Sequence, residues 1–245
     1  PPLPLHPSTR AGIELGRRLF FDPRLSGNDR IACATCHEPA RAFTDGLARS
    51  NRGASGASLA RNAPGLANIA WAPSLFWDGG SKNLESLVFG PITHPDEMGE
   101  SVERMIGQLA ADPAMRTAFV AAFPGKGVTP SLVMRALAQF MRSLVSADSR
   151  YDRWVRGEFG AKLDDAELRG LAVYRARCAR CHATDLFTDH RFHDIGLDPA
   201  TSLAVEDPRR GRARVTFAAT DEHAFRTPTL RNLSYTAPYM HDGRL

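Results

Sequence analysis

All four cysteines of the chain fall in two copies of one pattern, Cys33-Ala-Thr-Cys36-His37 and Cys178-Ala-Arg-Cys181-His182. Two thiols three residues apart, followed at once by an imidazole, are a reactive set, and four chemistries compete for it. A disulfide within either pair would close a short, strained loop, and no other cysteine is available. A redox-active pair needs a strand–helix–strand setting that neither copy has. A four-cysteine zinc site places its two pairs about 15–20 residues apart, and here the gap is far longer. None of these needs His37 or His182. Covalent c-type haem needs both: two thioethers fix the edge of the porphyrin, and the adjacent histidine turns under the ring as proximal iron ligand. A histidine after both pairs by chance has odds of about one in a thousand. The sequence therefore predicts two covalently bound haem c groups, on Cys33, Cys36 and His37 and on Cys178, Cys181 and His182.

The rest of the composition is that of an ordinary soluble globular protein, with 245 residues, 43% hydrophobic and 24% charged. The net charge of +4 is spread over scattered arginines rather than blocks, which argues against a nucleic-acid partner. No apolar run reaches the length of a membrane span. The first residues, Pro1 to Arg10, do not read as a signal peptide. Because covalent haem is attached outside the bacterial cytoplasm, the expected location is the periplasm, reached from an exported precursor.

The elements that must position the haems are mainly α-helical. Ser8 or Thr9 caps a helix carrying Ile13, Leu15, Leu19 and Phe20. Val102, Met105, Ile106 and Leu109 share a helical face. Thr129 caps the clearest helix, with Pro130 in its first turn and an apolar stripe of Leu132, Val133, Ala136, Leu137, Phe140, Met141, Leu144 and Val145. A capping box from Asp164 to Glu167 opens a helix that runs into the second motif. Gly/Pro-rich loops, including residues 50–65, 71–80 and 197–213, separate these segments, and strands are scarce. The expected fold is two cytochrome c-like haem domains, residues 1–147 and 148–245, with long loops, little β-structure and no obvious repeat beyond the five-residue motif. The porphyrins supply much of the core.

The stretch from Leu15 to Gly46 resembles the first haem segment of bacterial di-haem cytochrome c peroxidases and MauG-like enzymes. "RNAPGLAN", "FWDGG", "PDEMG" and "FRTPTLRNLSYTAPYMHDG" follow in the family's order, so that the resemblance covers nearly the whole chain. It implies a peroxide-binding haem at His37 and an electron-relay haem at His182. It implies Glu97 as the distal acid–base carboxylate and Trp77 as the tryptophan between the haems. It also implies a calcium ion held by Asn62 and the carbonyls of Thr236 and Pro238. His94 is placed near the distal side, His193 near the second haem and His241 between the haems, without assigned roles.

The sequence departs from the family twice. Peroxidases fed by a donor protein carry a histidine in the loop before "RN" that blocks the first iron until the other haem is reduced. Here residues 50–62 contain none, which leaves the distal position open, as in MauG-like members. The sixth ligand of the relay haem, Met or Tyr in the family, belongs to a segment beyond Leu245, and the native protein is expected to continue. The favoured function is therefore a di-haem peroxidase that uses hydrogen peroxide to form high-valent iron and oxidises an aromatic residue on a partner protein. The alternative is a cytochrome c peroxidase that reduces peroxide with electrons from a small cytochrome c or cupredoxin. A plain di-haem electron carrier is a remote third.

Overall fold

The structure, a computed structural model, describes residues 7–198 and 203–245, so that His6 and part of the predicted 197–213 loop lie outside the described residues. Its helices are α1 (Arg10–Phe20), α2 (Cys33–Cys36), α3 (Leu84–Thr93), α4 (Val102–Ala111), α5 (Pro113–Ala122), α6 (Pro130–Arg142), α7 (Arg150–Val155), α8 (Asp165–Arg177) and α9 (Ala213–Thr216). Two two-residue strands, β1 (Phe192–His193) and β2 (Phe225–Arg226), pair antiparallel. The mainly helical expectation holds.

The expected caps form. Thr9 Oγ1 accepts from Gly12 N, Thr129 caps α6 ahead of Pro130, and Asp164 and Glu167 close a capping box. The stripe on α6 is buried from Leu132 to Met141, but the helix ends at Arg142 and Val145 is exposed. The sequence reading ran the stripe one turn too far because Leu144 and Val145 keep an apolar pattern after the helix has stopped. Helices α3 and α5 were not anticipated, although Asn83 and Asp112 with Pro113 cap them in the ordinary way.

Helices α1 and α6 cross closely at two glycines. A Cβ on Gly16 would fall 1.9 Å from Ala136 O, and one on Gly12 would fall 2.1 Å from Gln139 Oε1, which accepts a hydrogen bond from Thr9 N. Gly16→Ala should therefore destabilise the fold by about 1–3 kcal/mol, lowering Tm by roughly 5 °C. Gly107→Ala on α4, where an added Cβ meets open space, should leave Tm unchanged or raise it. Thermal melts of the two variants check this pair of outcomes.

The buried apolar cluster lies wholly between Leu15 and Met141. Beyond it, the buried apolar residues among those described are Ala213 and Ala224, and α8 buries none. The later part of the chain thus packs around a cavity instead of a side-chain core.

Candidate functional site: two histidine motifs around one cavity

A cavity of about 1080 Å³ is walled by Cys33, Cys36 and His37 of the first motif and by Cys181 and His182 of the second. Cys178, the C-cap of α8, is exposed. In both motifs the histidine N–H closes a helical turn on the first cysteine, His37 N to Cys33 O at 2.9 Å and His182 N to Cys178 O at 3.0 Å. His37 Nδ1 lies 2.9 Å from Phe43 O, and His182 Nδ1 lies 3.1 Å from both Phe187 O and Pro228 O. A carbonyl on Nδ1 fixes the tautomer and leaves Nε2 as the ligating nitrogen, the arrangement found at metal-bound histidines. Burial lowers the His37 pKa and keeps the ring in the neutral, ligating form. Burial also pushes the Cys33 thiol up to about 12 and raises that of Cys36, which disfavours the free thiolate that a redox-active pair would need. No cysteine is in a disulfide.

The carbonyl acceptors Phe43 and Phe187 were missed from sequence, and they reveal a longer repeat than the five-residue motif. Phe43-Thr44-Asp45 and Phe187-Thr188-Asp189 follow their histidines at nearly equal distance. Both phenylalanines have positive φ, 65° and 54°, and both threonines are buried. A second block, Pro64-x-Leu66-x-Asn68 and Pro228-x-Leu230-x-Asn232, leads in each copy to Ala-Pro and then to Asp-Gly, at Trp77-Asp78-Gly79 and His241-Asp242-Gly243. Asn68 and Asn232 both have positive φ and both bond Ser146, at 2.9 and 3.2 Å. The copies clasp reciprocally: Asn62 N donates to His241 O at 2.9 Å, and Arg226 N donates to Trp77 O at 2.9 Å. The repeat thus extends past the motif, although it is not obvious in the linear sequence. One-residue offsets and substitution of Trp77 by His241 hide the duplication in a linear reading.

Trp77 is buried in the cavity wall, where its Nε1 donates to Asn62 O at 2.9 Å. It therefore binds Asn62 of its own copy and Arg226 of the other, at the junction of the two halves. Asn62 is buried, and its Nδ2 lies 2.9 Å from Leu47 O and 3.4 Å from Pro238 O. Thr236 lines the cavity two residues before Pro238. His241 is buried and stacked on Phe225 at 3.6 Å, and burial lowers its pKa to about 4.

Glu97 lines the cavity, and burial raises its pKa. Its backbone is strapped to the loop before Arg61: Ala54 N donates to Glu97 O at 2.6 Å and Ser55 Oγ to Asp96 Oδ1 at 2.9 Å. The strap is tight, since a Cβ on Gly53 would fall 1.8 Å from Asp96 O. His94 caps α3, is exposed, and accepts from Asp96 N at 3.2 Å. His193 Nε2 bonds Asp189 Oδ2 at 2.8 Å. Those two groups and Cys181 Sγ lie within 4.8 Å of one another, and the imidazole and carboxylate are bonded to each other.

Two proximal-type histidines with carbonyl-fixed rings, paired thiols beside them and a mostly apolar cavity between them fit two haem c groups. The family model for di-haem cytochrome c peroxidase matches residues 10–159. The methylamine utilization protein MauG of Methylorubrum extorquens is 41% identical over 98% of this chain and 67% of its own length. The cytochrome c551 peroxidase of Nitrosomonas europaea is 35% identical over 94% of this chain and 68% of its own. Among solved structures, a MauG-like protein associated with microbial copper homeostasis superposes with a TM-score of 0.91, at 36% identity, over 100% of this chain and 76% of that one. Ordered motifs, cavity and relatives agree, and the chain belongs to the di-haem cytochrome c peroxidase and MauG family.

Proposed function

We propose that this di-haem peroxidase-family enzyme works in the MauG manner, reacting with hydrogen peroxide in its fully ferric state and drawing electrons from an aromatic side chain of a partner protein. The observation that carries the reading is the loop strapped over Glu97. It lines the cavity with Ser50, Gly53, Ser58, Leu59 and Ala60, and none of these offers nitrogen or sulfur to an iron. Its bonds to Asp96 and Glu97 fix it in place.

When bound, the haems supply the iron position that takes peroxide and the electrons that reduce it. The protein supplies ligation and proton transfer. His37 and His182 would ligate the irons, and Cys33, Cys36, Cys178 and Cys181 would hold the rings through thioethers. The Glu97 carboxylate would carry a proton from one peroxide oxygen to the other, so that the second can leave as water. Trp77, bonded to both halves, stands in the electron path between them. In this reading residues 1–147 carry the peroxide haem and residues 148–245 the relay haem, and the enzyme works in the periplasm. No helix of the described residues is long and apolar enough to cross a membrane.

A calcium ion at Asn62, Thr236 and Pro238 belongs to the same proposal. Turning the Asn62 amide by half a revolution presents Oδ1 to the Pro238 carbonyl, a neutral oxygen set suited to a hard cation. Exhaustive chelation with EGTA should then slow the peroxide reaction and calcium should restore it; a chelated protein that contained no calcium and kept its rate would remove the ion from the scheme.

One equivalent of peroxide added to the ferric protein should change the Soret band and near-infrared absorption within a stopped-flow experiment. A reaction that waits for one-electron reduction would favour a cytochrome c peroxidase fed by a small cytochrome c or cupredoxin. The resemblance to the Nitrosomonas europaea enzyme keeps that second reading in view.

A further inference from the structure

Along the segment Phe225–Asn232 the side chains of Thr227, Thr229, Arg231 and Asn232 all bond other parts of the protein. Thr227 O accepts from Thr188 Oγ1 at 2.7 Å, and Pro228 O meets His182 Nδ1. Thr229 Oγ1 donates to Leu186 O at 2.6 Å, and Arg231 pairs with Asp152 at 2.7 Å. Arg226 is the exception. Arg226 lines the cavity, and its Nε donates to Phe76 O at 3.3 Å, but no carboxylate among the described residues pairs with its guanidinium. Burial alone lowers its pKa, without a compensating acid.

The surroundings do not supply the missing charge. Arg61, in the same wall, is matched by Asp78 at 3.0 Å, and Asp189 is bonded to His193. The neighbouring His190 has both ring nitrogens covered and unpartnered, and burial and Arg226 hold its pKa down. An unmatched cation in a largely apolar cavity is costly unless an anion reaches it. The internal repeat sharpens the point. Arg226 occupies the position of Asn62 in the other copy, so that one half presents a neutral amide where the other presents a fixed positive charge.

We propose that Arg226 is a carboxylate-binding site, and that its ligand is a carboxylate of the porphyrin attached at Cys178 and Cys181. The site rests on the assignment of a haem to His182. Because Arg226 also holds the backbone of Phe76 and Trp77, it ties that carboxylate to the Trp77 loop. A positive charge at this place favours the reduced iron, and Arg226 therefore raises the reduction potential of the second haem. Arg226 is a positioning residue and takes no part in bond making.

The test is spectroelectrochemical titration of the intact two-haem protein and its variants, without peroxide. Arg226→Gln should shift the second haem toward the oxidised form about tenfold at fixed potential, 59 mV lower for a one-electron couple. Arg226→Lys should restore most of the shift. Arg212→Gln, which removes a charge bonded to Asp78 O and Gly79 O outside the main cavity, should stay within twofold of the parent. Resonance Raman bands of the porphyrin carboxylates should move in Arg226→Gln alone. Equal shifts in the Arg226 and Arg212 variants would overturn the proposal, as would a parent potential that responds saturably to added acetate, which would make the ligand a soluble anion. Haem counted on the same samples separates this failure from that of the haem assignment: a chain with no haem at Cys178 and Cys181 overturns both.

Discussion

Glu97→Gln should lower the rate of the peroxide reaction by roughly 10²–10⁴-fold while leaving both haems in place and the fold intact. The amide keeps the size and shape of the carboxylate but cannot take up the proton of the inner oxygen. Stability separates this from an unfolding effect. Burial raises the Glu97 pKa in the folded state, so ionisation there opposes folding, and that cost grows as pH rises through the folded pKa. Glutamine removes the cost, and Tm near neutral pH should stay level or rise. Activity that falls while stability holds is the signature of a group placed for chemistry. In the parent the reaction should speed up as pH rises through the raised Glu97 pKa, because the base works ionised, and that limb should vanish in Glu97→Gln. Stopped-flow traces across pH measure both effects. A variant rate within threefold of the parent would give the proton transfer to another group.

The strap over Glu97 explains why its position was legible only in part. "PDEMG" marked the residue, and the missing histidine in residues 50–62 marked an open loop. The demand for glycine at position 53, set by the carbonyl of Asp96, is a contact between segments far apart in sequence. The two Cys-x-x-Cys-His motifs were legible because covalent attachment of haem demands a fixed spacing. The helix ends were legible because Thr9, Thr129 and Asp164 satisfy their own first turns locally. What the chain concealed lies between the copies. Phe43 and Phe187, Asn68 and Asn232, and Trp77 and His241 correspond only when the reciprocal bonds through Asn62 and Arg226 are seen. Arg226 carried no sequence signal of its proposed role, because a lone arginine in a loop normally pairs with a nearby acid, and only the structure shows that no acid among the described residues does so.

Breaking the Asp152–Arg231 pair should have the largest effect on stability. Both side chains are buried, and the guanidinium grips the carboxylate twice, at 2.9 and 2.7 Å. The same carboxylate accepts from Ser149 N and Oγ at the start of α7, and Arg231 also donates to Asp185 O. Arg231→Leu leaves Asp152 charged and unmatched, and should cost about 3–5 kcal/mol, on the order of 10 °C in Tm. The hydrogen bonds from Arg231 hold the Asp152 pKa far below the usual carboxylate range. A depressed folded pKa means that the stabilisation is complete above the unfolded value of about 4 and is lost as pH falls below it toward the folded pKa. The parent and Arg231→Leu should therefore differ most near neutral pH and converge in acid. Pairing Arg231→Leu with Asp152→Leu should recover much of the loss, because no unmatched charge remains. The damage should also reach the haem, since Arg231 follows by three residues the Pro228 carbonyl that holds His182 Nδ1. A destabilised Arg231→Leu protein should show a disturbed spectrum at the second haem and an undisturbed one at the first. Equal disturbance at both would mean that the pair supports the whole fold and not the seat of His182.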